Sequence, residues 1–226
     1  MKKLLLLSLV LLSAVSLRAA GKSARQVLVE QVETCEAILQ EFQNRPEHAI
    51  PSAVLQKARG LIIVNQFKAG FILGMKGGYG VVMVKKADNR WSLPVLINAG
   101  EASLGLQIGA SATETIFVLM DDATPRLLFK DRFNIGVDAK AVAGPKSAEA
   151  VANNREILTT PVLVYSKARG LYAGATVKAG YAARNDPANF TLYGTKYALP
   201  ELLYSDWVQP IPEVKPLMDF VKRIAP

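Results

Sequence analysis

The chain carries a long succession of short apolar segments separated by turn residues, and this succession restricts the folds open to it. Gly77-Gly78 and Asp88-Asn89 are two of the predicted turns. The segments predicted as strands are Leu61–Val64, Gly70–Leu73, Val81–Val84, Val95–Asn98, Thr115–Met120, Phe133–Val137, Val162–Tyr165 and Ala173–Ala182. Because long helical patterns do not separate them, strands at this spacing predict a mostly antiparallel sheet that folds over or closes on itself.

Helices are predicted on both sides of this strand region. Ser23 followed three residues later by Gln26 is a capping-box pattern, and an apolar stripe at alternating four- and three-residue steps follows it. The stripe predicts an amphipathic helix over residues 23–44, and the residues that form it are Leu28, Val32, Cys35, Leu39 and Phe42. Residues 216–224 predict a closing helix. The expected fold class is therefore α+β: a mostly antiparallel, folded-over or barrel-like sheet with an N-terminal amphipathic helix and a C-terminal closing helix.

The first twenty residues have the layout of a secretory signal peptide. Two lysines precede an uncharged apolar run over residues 4–15, and small residues follow the run. The run is too short to span a bilayer, although an uncleaved anchor is an alternative interpretation. We therefore expect a signal peptide over residues 1–20, a single domain over residues 21–226, and an exported protein that is periplasmic or envelope-associated.

The chain has one cysteine and one histidine, and this composition excludes several classes of protein. A lone cysteine cannot close an intramolecular disulfide, and one cysteine with one histidine cannot supply the usual zinc ligand sets. Cys35 lies in the apolar helix stripe and is interpreted as a small buried residue. His48 is expected to be a solvated surface residue. A serine–histidine hydrolase is hard to build from such a chain.

Other catalytic patterns are weak. Gly74-x-x-Gly-Gly-x-Gly80 resembles a phosphate-binding loop but lacks its Gly-Lys-Ser/Thr ending, so its glycines are interpreted as turn and bulge residues. Asp121-Asp122 closes an apolar strand, where aspartate is common turn chemistry. An enzyme that uses Asp121, Asp122 or Asp138 with a divalent metal is one alternative. We expect no catalytic residue, no metal and no cofactor, and hence no enzymatic activity.

The basic residues are concentrated in two windows of the sequence. The whole chain has a formal net charge of +8, of which three charges belong to the predicted signal peptide. Residues 49–87 carry six basic residues and no acid, and residues 157–185 carry four basic residues and no acid. The rest of the mature chain is net acidic. This polarised distribution favours a binding surface for an anionic partner over a generally basic protein.

The two basic windows contain a repeat. Residues 51–71 and 161–181 match at ten of 21 positions when they are aligned without gaps. The first copy is expected to end a short helix, whereas the second copy begins as a strand. The repeat is explained either by two similar strand-flanked turns or by basic residues that converge on one anion-binding surface. The candidate head-group contacts on that surface are Lys57, Arg59, Lys68, Lys76, Lys167, Arg169 and Lys178.

Several motifs extend over most of the mature chain. They are Leu61–Val64, Lys68-Ala-Gly-Phe71, Gly74–Gly80, Trp91-Ser92 with Pro94, Ser103-x-Gly-Leu-Gln-Ile-Gly-Ala110, Phe117-Val-Leu-Met120, Asp138 with Gly144-Pro145, Tyr165-Ser-x-x-Arg-Gly-Leu171, and Asn189-x-x-x-Tyr-Gly194. Their order and spacing over roughly residues 30–200 resemble the SYLF domain family. The resemblance implies a domain that binds lipid and associates with membranes, with phosphoinositides and actin as ligands of some eukaryotic relatives. A signal peptide would remove access to those two ligands, so neither is expected here.

We therefore predict a non-enzymatic, exported lipid-binding protein that associates peripherally with anionic membrane surfaces through a basic face. The expected partner is anionic phospholipid, with an envelope protein as a further candidate. Nucleic acid is not expected, because export separates it from the protein and the basic windows lack interleaved aromatic residues. The alternative function is an envelope structural or protein-interaction domain without specific lipid binding.

Overall fold

A computed structural model of the protein describes residues 22–68, 75–102, 112–153, 155–168 and 180–226. The α-helices in these ranges are α1 (Ala24–Asn44), α2 (Ser52–Leu55), α3 (Ala148–Asn153), α4 (Asp186–Tyr193), α5 (Leu199–Tyr204) and α6 (Lys215–Ile224). The strands are β1 (Gly60–Lys68), β2 (Met75–Val84), β3 (Val95–Ala102), β4 (Ala112–Leu119), β5 (Arg132–Ile135), β6 (Ala141–Ala143), β7 (Val162–Ala168) and β8 (Gly180–Arg184). Short 3-10 helices cover Thr124–Phe129, Arg155–Thr159 and Pro212–Val214.

The described strands form one sheet in the order β5-β8-β3-β2-β1-β4-β7-β6, so its two edge strands are consecutive in the sequence. Neighbouring strands are antiparallel except for β6 and β7, which are parallel. A flat sheet of this size would place its edges about 33 Å apart. The chain from Ile135 to Ala141 spans at most about 22 Å. The sheet therefore rolls into a nearly closed, barrel-like shape, which confirms the predicted α+β class and its folded-over antiparallel sheet.

The central strands are buried on both faces. The run Leu61–Val64 in β1 is buried at every position, and neighbouring residues of a strand point to opposite faces. Ile63 is the register partner of Val81 in β2 and of Ile116 in β4, so a layer of apolar side chains crosses the sheet. Helix α1 contacts β1 and β2 and covers one face. The rolled sheet encloses the opposite face, which explains why these strands are continuous apolar runs.

Helix α1 begins and packs as its sequence pattern predicts. The Ser23 side chain accepts a hydrogen bond from the Gln26 amide, and the Gln26 side chain accepts one from the Ser23 amide, which completes the capping box. Cys35 is fully buried in the apolar stripe, and burial raises the pKa of its thiol to about 12. Its interpretation as a small buried residue is confirmed, since a thiol with this pKa stays protonated.

The closing helix α6 is also confirmed. Leu217, Phe220 and Val221 form its buried side, and α6 contacts α1. An ion pair between Arg25 and Glu213, with a nitrogen–oxygen distance of 2.7 Å, joins the two terminal helical regions. The N-terminal and C-terminal helices thus stabilise each other on the outside of the sheet.

Two local expectations are wrong. Gly77-Gly78 is not a turn but lies within β2, where a Cβ atom on Gly78 would be 2.3 Å from the carbonyl oxygen of Asn65. Gly80 makes the same close approach to Ile63, so glycine allows β2 to lie tightly against β1. His48 is buried, with 9% of its surface exposed, rather than solvated. The Asp88-Asn89 turn is confirmed, and Asn89 has a φ of 63°.

Helices α4 and α5 were not predicted from the sequence, and α4 has an important polar contact. The Asn189 side chain is fully buried and lies against the backbone of β3. Its Oδ1 accepts a hydrogen bond from the Leu96 amide at 2.8 Å, and its Nδ2 donates to the Leu96 carbonyl at 2.9 Å. Asn189 therefore satisfies both backbone groups of Leu96 on the side away from β2, where the pairing of β3 with β8 ends at Ile97.

Replacing Asn189 tests the importance of this contact. Asn189→Ala leaves the amide and carbonyl of Leu96 without partners in a buried site, so we expect the free energy of unfolding to fall by about 2–4 kcal/mol. Urea unfolding followed by circular dichroism measures the change. Thr191→Ala is the matched control, because Thr191 is exposed on the same helix and belongs to the same Asn-x-Thr sequence. Equal stability of the two variants would contradict the assigned role.

Candidate functional site

The sheet has two ends, and the predicted basic residues are divided between them. We call one end the lysine end, because Lys68 at the end of β1 and Lys76 near the start of β2 are register partners there. We call the other the arginine end, because Arg59 precedes β1 there. Strand β1 has nine residues, so Arg59 and Lys68 lie about 30 Å apart along it. The structure therefore does not bring the candidate residues to a single surface.

Three more strand ends meet at the lysine end. Ala102 of β3 is the register partner of Met75, Ala112 of β4 is the partner of Phe67, and Ala168 of β7 is the partner of Thr113. Arg169 directly follows Ala168 in the sequence, and Lys178 precedes β8 by two residues. Both Arg169 and Lys178 lie outside the described residues. Their predicted role as head-group contacts stays a prediction.

The cations of the arginine end are largely paired with aspartates. Arg59 Nε donates to Asp122 at 2.8 Å, and Arg90 bonds to Asp88 at 2.7 Å and to Asp206 at 2.6 Å. Lys86 also pairs with Asp206, and these two cations lower the pKa of the Asp206 carboxyl to about 2. Such exposed pairs contribute little stability, but they neutralise the local charge.

Lys57 is the exception among the candidates of the arginine end, because its side chain is exposed. It follows helix α2, whereas the matching residue in the second repeat copy, Lys167, lies within strand β7. The two copies therefore place corresponding lysines in different local structures, as the sequence indicated. The repeat does not build two equivalent basic corners.

Lys167 is not an exposed cation. Only 7% of its surface is exposed, and its ammonium group pairs with Glu41 of α1 and lies 3.6 Å from Glu114 of β4. The hydrogen bond from Lys167 lowers the pKa of the Glu41 carboxyl. This cluster of charged side chains connects the C-terminal part of α1 with strands β4 and β7. Lys167 therefore does not contribute to an exposed basic surface, because it is buried and its charge is balanced by two nearby carboxylates.

Phe67 is a surface residue that sequence analysis missed. It precedes Lys68 at the lysine end, and 48% of its surface is exposed. Its ring centroid lies 6.3 Å from that of Tyr79, whose hydroxyl accepts a hydrogen bond from Asn65 at 3.1 Å. The sequence contains a sign of this exposure, because Phe67 stands apart from the buried apolar run of β1, three residues beyond its last residue. In the part of the chain that the structure describes, no helix is both long and apolar enough to cross a membrane.

The aspartates considered for metal chemistry have structural partners. Asp121 Oδ1 accepts hydrogen bonds from the amides of Ala123 and Thr124 at 2.9 and 2.7 Å, which is the turn chemistry expected there. Asp138 Oδ2 accepts from the Asn134 amide at 2.6 Å. Within the described ranges, no group of three or more histidine, cysteine or acidic residues is arranged to hold a metal ion.

The family model and the curated relatives that match this chain indicate the same family. The family model described as Las17-binding protein actin regulator, Ysc84, matches residues 100–224. LAS seventeen-binding protein 3 of Saccharomyces cerevisiae is 30% identical over 205 residues, which cover 89% of this chain and 43% of that protein. SH3 domain-containing YSC84-like protein 1 of Homo sapiens is 26% identical over 196 residues, which cover 86% of this chain and 56% of that protein. The chain thus spans about half the length of the curated relatives it matches.

The Lys167 cluster predicts a pH dependence of stability. The folded-state pKa of Glu41 lies below its ordinary value of 4.5, so its stabilising contribution is complete above that pH and is lost as the pH falls through the lowered pKa. We expect the difference in unfolding free energy between wild type and Glu41→Gln to be constant near neutral pH and to shrink in acid. Urea unfolding at several pH values measures it. Glu47→Gln, at an exposed position, is the control and should show no such trend.

Proposed function

The chain belongs to the Ysc84 family, and we propose that it is a non-enzymatic protein that binds anionic membrane surfaces peripherally through the lysine end of its sheet. The SYLF resemblance of the sequence and the family match agree. The observation that carries the proposal is that Lys68 and Lys76 are register partners at the same end of the sheet as the exposed ring of Phe67.

Two lysines at directly opposite positions repel each other in an antiparallel pair. Lys76 has a second register partner, Glu101 of β3, so the three residues together carry one net positive charge. An anionic head group placed over the pair would reduce the repulsion between the lysines.

Phe67 adds an apolar contact to this charge. Aromatic residues are enriched at membrane–water interfaces, where the ring enters the head-group region and polar neighbours stay in water. A half-exposed phenylalanine next to a lysine fits peripheral binding by combined apolar and electrostatic attraction. No spanning segment is needed for such binding.

The arginine end is a weaker candidate for the same role. Its cations bond to Asp88, Asp122 and Asp206, so approach to an anionic surface would bring three carboxylates close to it as well. At the lysine end, Arg169 and Lys178 would add two further cations if they take part as predicted. Each cation near an anionic bilayer contributes about 1 kcal/mol, so four cations would suffice for reversible attachment.

Export and the absence of enzymatic activity are parts of this proposal. The signal-peptide pattern of residues 1–20 supports export, although these residues lie outside the described ranges. The turn and ion-pair contacts of Asp121, Asp122 and Asp138 support a non-enzymatic role, because they give each carboxylate a structural role. The yeast relative is named for binding Las17, which makes a protein partner the alternative function for this chain.

Charge reversal at the lysine end tests the proposal. We expect the mature protein to float with anionic vesicles and not with zwitterionic vesicles, and each of Lys68→Glu and Lys76→Glu to weaken the partition coefficient about 30-fold. This value follows from the loss of one attraction and the gain of one repulsion, about 2 kcal/mol together. Raising the salt concentration should weaken binding of the wild type steeply.

Lys57→Glu is the matched control, because it makes the same charge change at an exposed residue of the arginine end. We expect it to leave flotation nearly unchanged. Equal recovery with both vesicle types would contradict membrane binding altogether. An effect of Lys57→Glu as large as that of Lys68→Glu would instead contradict the assignment to the lysine end.

The apolar contribution has a separate test. Phe67→Ser should lower the vesicle binding that persists at high salt, because this residual binding depends on apolar contact rather than on charge. Phe129→Ser is the control, since Phe129 is exposed to a similar extent but lies away from the lysine end. Flotation in high salt compares the two variants. If both retain the same residual binding, Phe67 does not contact the membrane.

A further inference from the structure

The two edges of the rolled sheet are protected differently. At β5, the outward amide of Asn134 donates to Asp138 Oδ2 at 2.6 Å, and the Asn134 carbonyl accepts from the amide of Asp138 at 2.8 Å. The short link after β5 thus satisfies the outward backbone groups of Asn134. Such capping is a common way to prevent an edge strand from pairing with another chain.

Strand β6 has no comparable protection among the described residues. The Lys140 carbonyl accepts from the Val162 amide at 3.3 Å, and the Gly144 amide donates to the Val164 carbonyl at 3.0 Å. Because backbone groups alternate in direction along a strand, Lys140, Val142 and Gly144 face β7, and Ala141 and Ala143 direct theirs away from it. Among the described strands β6 pairs only with β7, so these outward groups have no ladder partner there.

A cavity of about 590 Å³ lies beside this edge. Its lining combines Val142 and Ala143 of β6 with Ile157, the hydroxyl-bearing Thr159 and Thr160, Pro161, and Lys140. Lys140 is exposed and forms no ion pair with any residue in the described ranges. Nearby in the link between the edge strands, Val137 has 72% of its surface exposed. The edge is therefore bordered by an unpaired cation and by a cavity that can hold a side chain.

We propose that the free edge of β6 binds an extended peptide of a partner protein by strand addition, with an acidic side chain of the peptide in the cavity beside Lys140. The peptide's main chain pairs with the outward amides and carbonyls of Ala141 and Ala143. Its alternate side chains point to opposite faces, so one of them enters the cavity. An acidic residue is specified there because it gains a charge-assisted hydrogen bond to the Lys140 ammonium.

This site is separate from the lysine end. Strand β6 pairs with β7 beginning at Val162, which lies next to Leu119 and hence toward the arginine end. A peptide on β6 and a membrane at the lysine end can therefore be bound at the same time. The proposal gives the protein an interaction surface that does not depend on lipid binding.

Amide hydrogen exchange in the free protein tests the geometry directly. We expect fast exchange at Ala141 and Ala143 and slow exchange at Val142 and Gly144, because only the latter two amides point to β7. Slow exchange at all four amides would show that another part of the chain covers the edge, and would overturn the proposal. This measurement needs no variant and no ligand.

Peptide binding tests the partner chemistry. The probe is a fluorescent peptide of alternating valine and threonine with one central glutamate, and its matched copy has lysine in place of the glutamate. We expect wild type to bind the acidic peptide about ten-fold more tightly, and Lys140→Glu to reverse this preference. Lys215→Glu, an equal charge change at an exposed residue of α6, should leave the preference unchanged.

Ala143→Pro isolates the main-chain contribution. Proline removes an outward amide, leaves the amides directed at β7 in place, and is compatible with an edge strand. We expect this variant to keep its unfolding midpoint and to lose about ten-fold in affinity for the acidic peptide. Equal affinity of wild type for both peptides, or a preference unaffected by Lys140→Glu, would overturn the proposal. Vesicle flotation of Lys140→Glu should match wild type, and its loss in the absence of peptide binding would show the edge to be a membrane contact instead.

Discussion

The short link between β5 and β6 is the constraint on which the rest of the structure depends. Five residues cannot cross the width of a flat eight-stranded sheet, so the sheet has to roll, and rolling encloses one face while helix α1 covers the other. Strands buried on both faces have to be continuously apolar, as Leu61–Val64 is. Polar function is thereby restricted to the two ends of the sheet and to its edges. The lysine end and the free edge of β6 are both consequences of this restriction.

Much of the fold was predictable because its signals are local. The capping box at Ser23 and the apolar stripe that follows it need only one helix, and the run Leu61–Val64 needs only one strand. Gly77-Gly78 shows where local signals end, since a glycine pair that permits a turn also permits close approach of a neighbouring backbone. Only the register of β2 against β1 shows that this pair lies in a strand and not in a turn. Helix α4 was missed for a related reason, because the role of Asn189 depends on a β3 residue 93 positions away.

The candidate site was harder to predict than the fold. The repeat suggested convergence, but residues nine positions apart on one strand lie at its opposite ends, so Arg59 and Lys68 separate as soon as β1 forms. Lys167 has the same sequence context as Lys57, yet strand pairing places it beside Glu114 and under the Glu41 side chain of α1. Similar sequence therefore produced one exposed and one buried lysine. Phe67 was not among the predicted site residues, because those were identified by their positive charge and phenylalanine is uncharged.

Counting cations along the chain overestimates how many can attract an anionic partner, because pairing is decided by the fold. Arg59, Arg90 and Lys86 bond to aspartates, and Lys167 is shared by two glutamates, so these charges are already balanced within the protein. Lys68 and Lys76 are register partners on neighbouring strands, and like charges at directly opposite positions are in general unfavourable. An arrangement of like charges that is unfavourable alone becomes favourable when an anion lies over it. The proposed membrane contact at the lysine end therefore depends on which basic residues the strand register brings together, and not on how many basic residues the sequence contains.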